Sequence, residues 1–523
     1  MEHGALSLIP PILALLMVMF TRRVLLSLGV GIIVGALMIN QTQDMMINES
    51  LNLIISIVTG IFVVDGGINT WEFYIILFLL ILGIIASLVT LTGGARAFGE
   101  WALKRVKTRT GAQFVAGLLG ILIFIDDYFN SLTVGNVSRP FSDRHQISRA
   151  KLAYIVDSTA APMCVIAPVS SWGAYIITII GSILVTHGVS QYGALQAFLL
   201  MAPMNFYAIF AILFVFAVAY FKLDFGSMRT HEQRALETGE LVDKSKGAVP
   251  GGNDDMKPLG NGRVGDLLWP IATLIVATVI FMITTGIQGT EGEKSILATF
   301  ENTDVAAALV YGGLVSLAVT VVITILRKIP VKQFSLGIWS GIKSMLPAIY
   351  ILVFAWTIIE IIGELGTGEY LASLVNEHIQ IGYLPVLLFV IAGFMAFSTG
   401  TSWGTFGIML PIAADIAAVT DINMLLPVLA AVLAGAIFGD HCSPISDTTI
   451  LSSAGAGSHH IDHVLTQLPY ALIVAFISIV GFLVLGFTTN VFLALLAAAA
   501  AFVAVIFIVN ACIRGIYGKA EQQ

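Results

Sequence analysis

Long apolar runs dominate this chain, and many of them approach the length needed to cross a lipid bilayer. A helix of about 20 residues spans the hydrocarbon core, so such runs predict membrane helices. They lie at about 5–20, 24–40, 71–92, 197–221, 267–288, 304–326, 336–363, 463–487 and 490–513. Residues 50–68 predict either a short span or an interfacial helix.

Four further segments are apolar but are interrupted by Gly, Pro, Ser, Thr and Asp. They cover about 112–138, 152–186, 384–420 and 423–455. Irregular backbone is tolerated at membrane depth only where protein or a water-filled cavity covers it. We therefore expect re-entrant hairpins in the first and third segments and discontinuous transmembrane helices in the second and fourth.

Composition places the chain in a membrane. Hydrophobic residues make up 57% of it and charged residues 11%, against roughly 25% charged residues in soluble domains. The prediction is an all-α polytopic membrane protein whose surroundings are the lipid bilayer. No basic tract with interleaved aromatic residues indicates a nucleic-acid partner. The scattered Cys164, Cys442 and Cys512 do not suit a disulfide framework or a Cys-rich metal site.

One long hydrophilic segment, about 223–265, interrupts the apolar pattern. Its basic residues and its Pro-Gly-Gly-Asn-Asp run at 250–254 predict a flexible linker. It divides the chain into an N-terminal half at 1–222 and a C-terminal half at 266–523.

Loop charges predict the orientation, because Lys and Arg are enriched in cytoplasmic loops. By this rule the linker and the C-terminus are cytoplasmic in a multi-pass protein of the cell inner (cytoplasmic) membrane. Basic loops flank 112–138, whereas Glu364, Glu369 and Glu377 precede 384–420. The first hairpin then enters from the cytoplasm and the second from outside.

Landmarks of the first half recur in the second in the same order. Ser131 and Pro140 match Ser402 and Pro411, and the later landmarks keep a nearly constant spacing. The later pairs are Pro162 with Pro444, Ser170-Ser171 with Ser452-Ser453, and Gly173 with Gly455. Such self-similarity is typical of a duplication, and with the opposed hairpins it predicts two inverted-topology repeats.

Both halves place oxygen-bearing side chains in their interrupted segments. A charge at bilayer depth costs ~2.5–3.5 kcal/mol on insertion scales, so buried acids usually face a cavity, a partner or a cation. In membrane transporters that are built from inverted repeats, the substrate and ion sites lie near the bilayer midplane where the repeats meet. The candidate ligands are Asp126, Asp127, Asn130, Ser131, Asp157, Ser158 and Thr159 in the first half, and Thr399, Thr401, Ser402, Asp440, His441, Ser443, Ser446, Asp447 and Thr448 in the second.

A hard cation such as Na+ needs several oxygen ligands, and a buried carboxylate can hold either a proton or that cation. Asp157 and Asp440 are the principal coupling candidates because each precedes a Pro where a broken helix should unwind. Asp126, Asp127 and Asp447 are further coupling candidates. The predicted Na+ ligands are Asp126, Asn130, Ser131, Asp157, Thr401, Ser402, Asp440 and Asp447. No cofactor is expected besides Na+ and H+ as transported or coupling ions.

Simpler interpretations remain open for several of these residues. Asp126-Asp127 could be an interfacial pair neutralised by Arg139 or Arg144, and Ser and Thr side chains could bond to helix carbonyls. His441 could carry a proton or only donate a hydrogen bond.

Two further groups of residues also have simple interpretations. His459, His460 and His463 beside Asp462 predict a solvated loop cluster rather than a metal site. Trp172 and Trp403 predict packing or interface anchors.

A resemblance to a known family adds to these inferences. The run Gly439-Asp-His-Cys-Ser-Pro-Ile-Ser-Asp-Thr-Thr-Ile-Leu-Ser-Ser-Ala454, followed by His463-Val-Leu-Thr-Gln-Leu-Pro-Tyr470, resembles the signature of the NhaC-type sodium/proton antiporters of the ion transporter superfamily. Asp126-Asp-Tyr-Phe-Asn-Ser-Leu132 and Asp157-Ser-Thr-Ala-Ala-Pro162 extend it. The resemblance implies inverted repeats with hairpins and discontinuous helices, a homodimer, and exchange of Na+ or Li+ for H+.

Two rival functions remain. Relatives within the superfamily carry lactate and malate or amino acids, so a Na+- or H+-coupled carrier of a small organic acid or amino acid is the main alternative. The absence of a Lys or Arg centred in an apolar run favours an inorganic cation. An intramembrane aspartyl protease would share a proton between two Asp residues, but Ile437-Phe-Gly-Asp440 lacks the first Gly of its usual motif.

Overall fold

The computed structural model describes most of the chain. The described residues are 4–21, 23–43, 45–64, 66–70, 72–124, 127–168, 170–247, 249, 259, 262–290, 295–367, 370 and 380–517. Asp126, Glu369 and Glu377 lie outside the described residues, as does most of 248–261.

The first half is built from helices of very different length, with one short hairpin. Its helices are α1 (Ile9–Thr21), α2 (Val24–Ile39), α3 (Met46–Gly60), α4 (Glu72–Thr92), α5 (Gly94–Arg105), α6 (Arg109–Leu122), α7 (Asp127–Arg144), α8 (Arg149–Ile166), α9 (Ser171–Thr186), α10 (Ala194–Met201), α11 (Phe206–Phe221) and α12 (Gly226–Thr238). The antiparallel strands β1 (Val63–Val64) and β2 (Gly67–Ile68) follow α3. Residues 50–68 therefore contain the end of a helix and a hairpin.

The second half continues the helical pattern. Its helices are α13 (Gly265–Gly289), α14 (Ile296–Glu301), α15 (Val305–Leu326), α16 (Val331–Glu364), α17 (Leu384–Thr399), α18 (Ser402–Thr420), α19 (Leu425–Cys442), α20 (Asp447–Ala456), α21 (His460–Thr488) and α22 (Val491–Tyr517). Single 3-10 turns occur at Gly4–Leu8, Ala202–Met204, Lys244–Lys246, Ile381–Tyr383 and Ile422–Met424.

Seven helices among the described residues are long and apolar enough to cross a membrane. They lie at Glu72–Thr92, Gly265–Gly289, Ala306–Leu326, Ile381–Thr399, Ile422–Cys442, His460–Thr488 and Val491–Gly515. The pair Ala194–Met204 and Phe206–Phe221, bent by 49°, makes an eighth if it is one span. The chain is thus an α-helical polytopic membrane protein.

Each of the four interrupted segments consists of two helices separated by a short break. The breaks lie between α6 and α7, α8 and α9, α17 and α18, and α19 and α20. Gly400 ends α17 with a φ of +70°, a conformation that side chains with a Cβ rarely adopt. Ser170 and Ser446 begin α9 and α20 by accepting hydrogen bonds from the N–H groups of Gly173 (2.9 Å) and Thr449 (3.4 Å).

The breaks of the two discontinuous helices share one sequence pattern, Ala167-Pro-Val-Ser170 and Ser443-Pro-Ile-Ser446. This places Pro168, not Pro162, opposite Pro444. Pro162 lies inside α8, so Asp157 sits in the middle of a continuous helix. The expectation that Asp157 marks an unwound position is wrong, whereas Asp440 does lie in the last turn of α19.

The halves interlock through their broken helices. Helix α9 of the first half packs against α18 of the second, where the Trp172 and Trp403 rings lie 5.7 Å apart and edge-on. In the reciprocal contact α20 packs against α7. A Cβ on Gly135 would lie 2.5 Å from the Gly455 carbonyl carbon, so this crossing depends on bare backbone.

The segment after α11 is not simply a flexible linker. Helix α12 and the residues that follow it dock on the ends of α6, α8 and α21. The buried Glu232 lies 2.6 Å from Arg109 and 3.3 Å from Lys151, and Lys151 lies 2.6 Å from Asp224. We call residues 223–246 the docked segment.

The docked segment also contacts the second half. Lys246 lies 2.5 Å from Asp462, and the Ser227 hydroxyl donates to the Leu465 carbonyl at 2.9 Å. The segment therefore connects the start of α8 with the start of α21.

Candidate functional site

Asp157 is the most completely hydrogen-bonded carboxylate of the candidate site. It is 1% exposed, and its Oδ1 accepts from the Ser452 hydroxyl at 3.1 Å. Its Oδ2 lies 3.0 Å from His463 Nε2 and accepts from Gln467 Nε2 at 2.6 Å. All three partners come from the second half, so this carboxylate connects α8 with α20 and α21.

Ser131 joins this group through Ser452, whose hydroxyl lies 3.0 Å from that of Ser131. A hydroxyl has one proton, so Ser452 donates to either Asp157 or Ser131. The neighbouring Thr159 is directed elsewhere, because its hydroxyl donates to the Ile155 carbonyl at 2.8 Å. Thr159 thus behaves as the simpler interpretation predicts.

His441 bridges three helices by hydrogen bonds. Its Nε2 lies 3.0 Å from the Ser158 hydroxyl and its Nδ1 lies 2.7 Å from the Tyr207 hydroxyl. Gln467 Nε2 also donates to the His441 carbonyl oxygen. These contacts favour the hydrogen-bonding role over the proton carrier.

Asp440 is 2% exposed and has fewer partners than Asp157. Its Oδ2 accepts from the Ser402 hydroxyl at 2.7 Å and from the Ser402 N–H at 3.2 Å. Its Oδ1 is buried and has no close hydrogen-bond donor among the described residues, and the Ser446 hydroxyl is a weaker hydrogen-bond partner of the carboxylate. Asp440 therefore keeps one oxygen available inside the protein.

Asp447 begins α20, where the partial positive charge of a helix N-terminus favours a carboxylate. It accepts a hydrogen bond from the Tyr128 hydroxyl and another from the Thr448 N–H at 2.8 Å. Trp356 is a further hydrogen-bond partner. Thr448 contacts the Ser446 hydroxyl at 2.9 Å, so its own side chain serves the break rather than Asp447.

The interrupted segment that contains α6 and α7 contributes Asp127 and Asn130. Asp127 is buried and accepts from Trp172 Nε1 at 2.8 Å, so its carboxylate packs inside the protein. Asn130 Nδ2 donates to the carbonyls of Gly120 and Ile123, both at 2.6 Å, where α6 ends. Its Oδ1 is buried without a partner among the described residues.

Two hydroxyl candidates of the second half, those of Thr399 and Ser443, bond to the backbone. The Thr399 hydroxyl donates to the Met395 carbonyl at 2.8 Å, and the Ser443 hydroxyl donates to the Phe397 carbonyl at 2.7 Å. Thr401 precedes α18, and its carbonyl accepts from the Thr405 hydroxyl at 3.0 Å.

The histidines after α20 are not a solvated loop cluster. His463 is 0% and His460 is 4% exposed. His460 Nε2 lies 2.7 Å from the Pro444 carbonyl in the break before α20. The expectation fails because the docked segment covers this region: His459 contacts the Asp243 carbonyl at 3.0 Å.

Comparison with known proteins identifies the family. The model of the Na+/H+ antiporter family matches residues 163–487, more than half of the chain, including α19, α20 and most of α21. This chain belongs to the Na+/H+ antiporter family. The NhaC-type resemblance carried by the Asp440 and His463 motifs is thereby confirmed.

Similar proteins agree with this family. A Haemophilus influenzae protein described as uncharacterized is 50% identical over 509 residues, covering 96% of this chain and 95% of that one. An uncharacterized Na(+)/H(+) antiporter of the same organism is 35% identical over 146 residues, 27% of this chain and 30% of its own. The malate-2H(+)/Na(+)-lactate antiporter of Bacillus subtilis is 32% identical over 163 residues, 30% of this chain and 33% of its own. This member of the Na+/H+ antiporter family is a transporter and not an enzyme.

Sequence reasoning missed the partners that this antiporter-family protein gives to its carboxylates. His463 and Gln467 are one helical turn apart, so both face Asp157 from one side of α21. Their spacing beside the Asp440 motif was the available signal. Tyr128, Tyr207, Trp356 and Ser452 carried no comparable signal.

Charge compensation at the site is incomplete. Among the described residues, no Lys or Arg forms an ion pair with Asp157, Asp440 or Asp447, and His463 is the one basic side chain in contact with them. Asp440 is close enough to Asp447 and Asp157 for their charges to interact. In that same part of the chain, no group of three or more His, Cys, Asp and Glu side chains is arranged to hold a metal ion.

Proposed function

We propose that this family member exchanges Na+ or Li+ for H+ across the cytoplasmic membrane. One observation carries the proposal. Two buried carboxylates, Asp157 and Asp440, and the half-buried Asp447 lie near each other with no Lys or Arg ion pair among the described residues, so their negative charge requires compensation from elsewhere.

Burial of an uncompensated charge costs free energy. An isolated carboxylate in a low-dielectric interior is strongly destabilised, and it is stable only when a proton or a cation neutralises it. Hydroxyl and carbonyl oxygens near the breaks are suited to replace the hydration shell of Na+. A site that holds either a proton or Na+, but not both, exchanges one for the other.

The proposal includes an architecture of two inverted repeats with re-entrant hairpins at 112–138 and 384–420. The matching break sequences and the reciprocal contacts of α9 with α18 and of α20 with α7 support it. In this arrangement the docked segment and the C-terminus are cytoplasmic. The family resemblance adds a homodimer, which cross-linking in native membranes would test.

A Na+- or H+-coupled carrier of a small organic acid or amino acid is the second candidate. The similarity to the malate-2H(+)/Na(+)-lactate antiporter of Bacillus subtilis favours it. Because no Lys or Arg pairs with the site carboxylates, an organic anion would rely on N–H groups and hydroxyls. This weaker anion site makes the inorganic exchange our first choice.

Transport by the purified protein in liposomes that enclose a pH-sensitive dye tests the proposal. We expect Na+ and Li+ to drive proton movement in the wild type and K+ to drive none. Asp440→Asn should abolish this exchange. Asp415→Asn, which changes a carboxylate with a side chain 70% exposed, is the matched control and should keep it. Proton movement driven only by lactate, malate or an amino acid would replace the proposal with the second candidate.

A further inference from the structure

We propose that the transported cation binds at Asp440 alone, and that Asp157 is a connection between the halves and not a cation ligand. This inference rests on the proposed transport of a cation and specifies which of two similar carboxylates holds it. The hydrogen-bond partners, the helix positions and the register of the two breaks support it independently.

The Asp157 carboxylate has little capacity left for a cation. The Ser452 hydroxyl contacts one oxygen, and His463 and Gln467 contact the other. Three of the roughly four acceptor positions of the carboxylate are in use, so a cation would have to displace a donor or lie with its own positive charge against their N–H groups. Removing a donor from a buried carboxylate is costly, so this position opposes cation binding.

The Asp440 carboxylate has the opposite character. Only Ser402 donates to it by close hydrogen bonds, and Oδ1 is buried without a close donor among the described residues. Asp440 also lies in the last turn of α19, where a helix C-terminus carries partial negative charge that attracts cations. The hydroxyl of Ser446 lies close by and supplies a further oxygen.

The register of the breaks explains why the two residues differ. When Ala167-Pro-Val-Ser170 is placed on Ser443-Pro-Ile-Ser446, the position of Asp440 corresponds to Cys164 and that of Asp157 to Leu433. Asp157 and Asp440 are therefore not equivalent residues of a duplicated site. The first half has no carboxylate at the position that Asp440 occupies.

Cation-dependent thermal stability of the detergent-purified protein tests the assignment. NaCl is titrated against choline chloride at constant ionic strength, with wild type, Asp157→Asn, Asp440→Asn and the control Asp415→Asn. We expect Na+ to raise the melting temperature of all but Asp440→Asn, whose apparent Na+ affinity should fall at least about tenfold, the loss expected for one charged ligand. Loss of the Na+ response in Asp157→Asn, or its retention in Asp440→Asn, overturns the proposal.

A second measurement uses the wild-type chain, so it does not depend on the folding of any variant. A hydrophobic carbodiimide modifies buried carboxyl groups, and the modified peptides are identified by mass spectrometry. We expect Na+ to protect Asp440 from modification and to leave the degree of modification of Asp157 unchanged. Protection of Asp157, or unchanged modification of Asp440, contradicts the inference.

Stability without Na+ separates the connecting role from a ligand role. Asp157→Asn places an amide N–H against Gln467 or His463, so we expect a lower melting temperature than the wild type. Asp440→Asn removes a buried charge with few donors and should melt no lower than the wild type. The reverse order contradicts the proposal. The Na+ titration and the carbodiimide protection measure binding rather than exchange, so they remain informative if the wild type proves not to exchange Na+ for H+.

Discussion

A Cβ atom on Gly455 would lie 2.4 Å from the backbone carbonyl oxygen of Ser131. The two backbones are thus in direct contact where α20 crosses α7. This contact places Ser452, one turn earlier in α20, beside the Ser131 hydroxyl. The hydrogen bonds of Asp157 therefore depend on a position that has no side chain.

Gly455→Ala should separate α20 from α7. Overpacking of this kind typically lowers the free energy of unfolding by about 1–3 kcal/mol, and the displaced Ser452 should also reduce exchange. Gly363→Ala is the control, because a Cβ there meets no atom within 4 Å and alanine favours a helix by about 0.5–1 kcal/mol. Melting temperature and liposome exchange measure both effects, and equal behaviour of the two variants would contradict the close crossing.

Tyr128→Phe should weaken the site at Asp447. The change removes a hydroxyl donor from a half-buried carboxylate, a loss worth about 1.5–3 kcal/mol. Thr448 still donates to Asp447, so we expect a folded protein with lower stability and slower exchange. Tyr220→Phe, at a residue 65% exposed, should leave both properties unchanged. Wild-type stability of Tyr128→Phe would show that the Tyr128 hydroxyl does not stabilise Asp447.

Acid should release the docked segment through Glu232. Burial would raise the pKa of this carboxyl, but the Lys151 and Arg109 cations and the hydrogen bonds from Ser148 outweigh it and lower the pKa below the ordinary 4.5. The interactions of a carboxyl whose pKa is lowered on folding stabilise the fold at pH values above the pKa of that group in the unfolded chain. That stabilisation is lost as the pH falls through the folded pKa.

The measurement compares wild type with Glu232→Gln from pH 7 to pH 3. We expect the wild type to be more stable at neutral pH, with a difference that is constant down to about pH 5 and shrinks below pH 4.5. Glu237→Gln alters an exposed carboxyl on the same helix and should show no such pH dependence. A stability difference that grows as the pH falls would contradict a lowered pKa of Glu232 in the folded protein.

The proposed opposed hairpins predict that residues of the two segments react from different sides of the membrane. Ser131 and Ser402 are both 0% exposed, so a Cys at either position should react with polar reagents only as the transporter opens to one side. We expect Cys at 131 to react mainly from the cytoplasm and Cys at 402 mainly from outside, with Na+ slowing both reactions. Cys164, Cys442 and Cys512 must be replaced first, and reaction of both positions from one side would refute the inverted repeats.

The sequence was sufficient to locate the helix breaks, because Gly, Pro and a capping Ser leave local signals. It was misleading about which proline marks the break of the first half. Pro162 and Pro168 both suit a break, and only the packed structure shows that α8 continues through Pro162. Asp157 was consequently expected at an unwound position, whereas it lies inside α8 and Asp440 lies in the last turn of α19.

Contacts between distant residues were beyond sequence reasoning. The polar surroundings of His459, His460 and Asp462 predicted solvent exposure, whereas Asp243 and Lys246 of the docked segment cover this region. The hydrogen bonds of Asp157 to Ser452, His463 and Gln467 likewise arise from tertiary packing. Periodicity and motif spacing describe neighbours along the chain and carry no information about such pairs.

The connection at Asp157 has a consequence for biosynthesis. Its three partners are 295, 306 and 310 residues further along the chain. At ~5–20 residues per second, the ribosome needs about 15–60 seconds to make them after Asp157 has been synthesised. During that interval the first half must hold an unsatisfied carboxylate while it enters the bilayer. A chain truncated before residue 452 lacks all three partners of Asp157, so its α8 would hold this carboxylate without them.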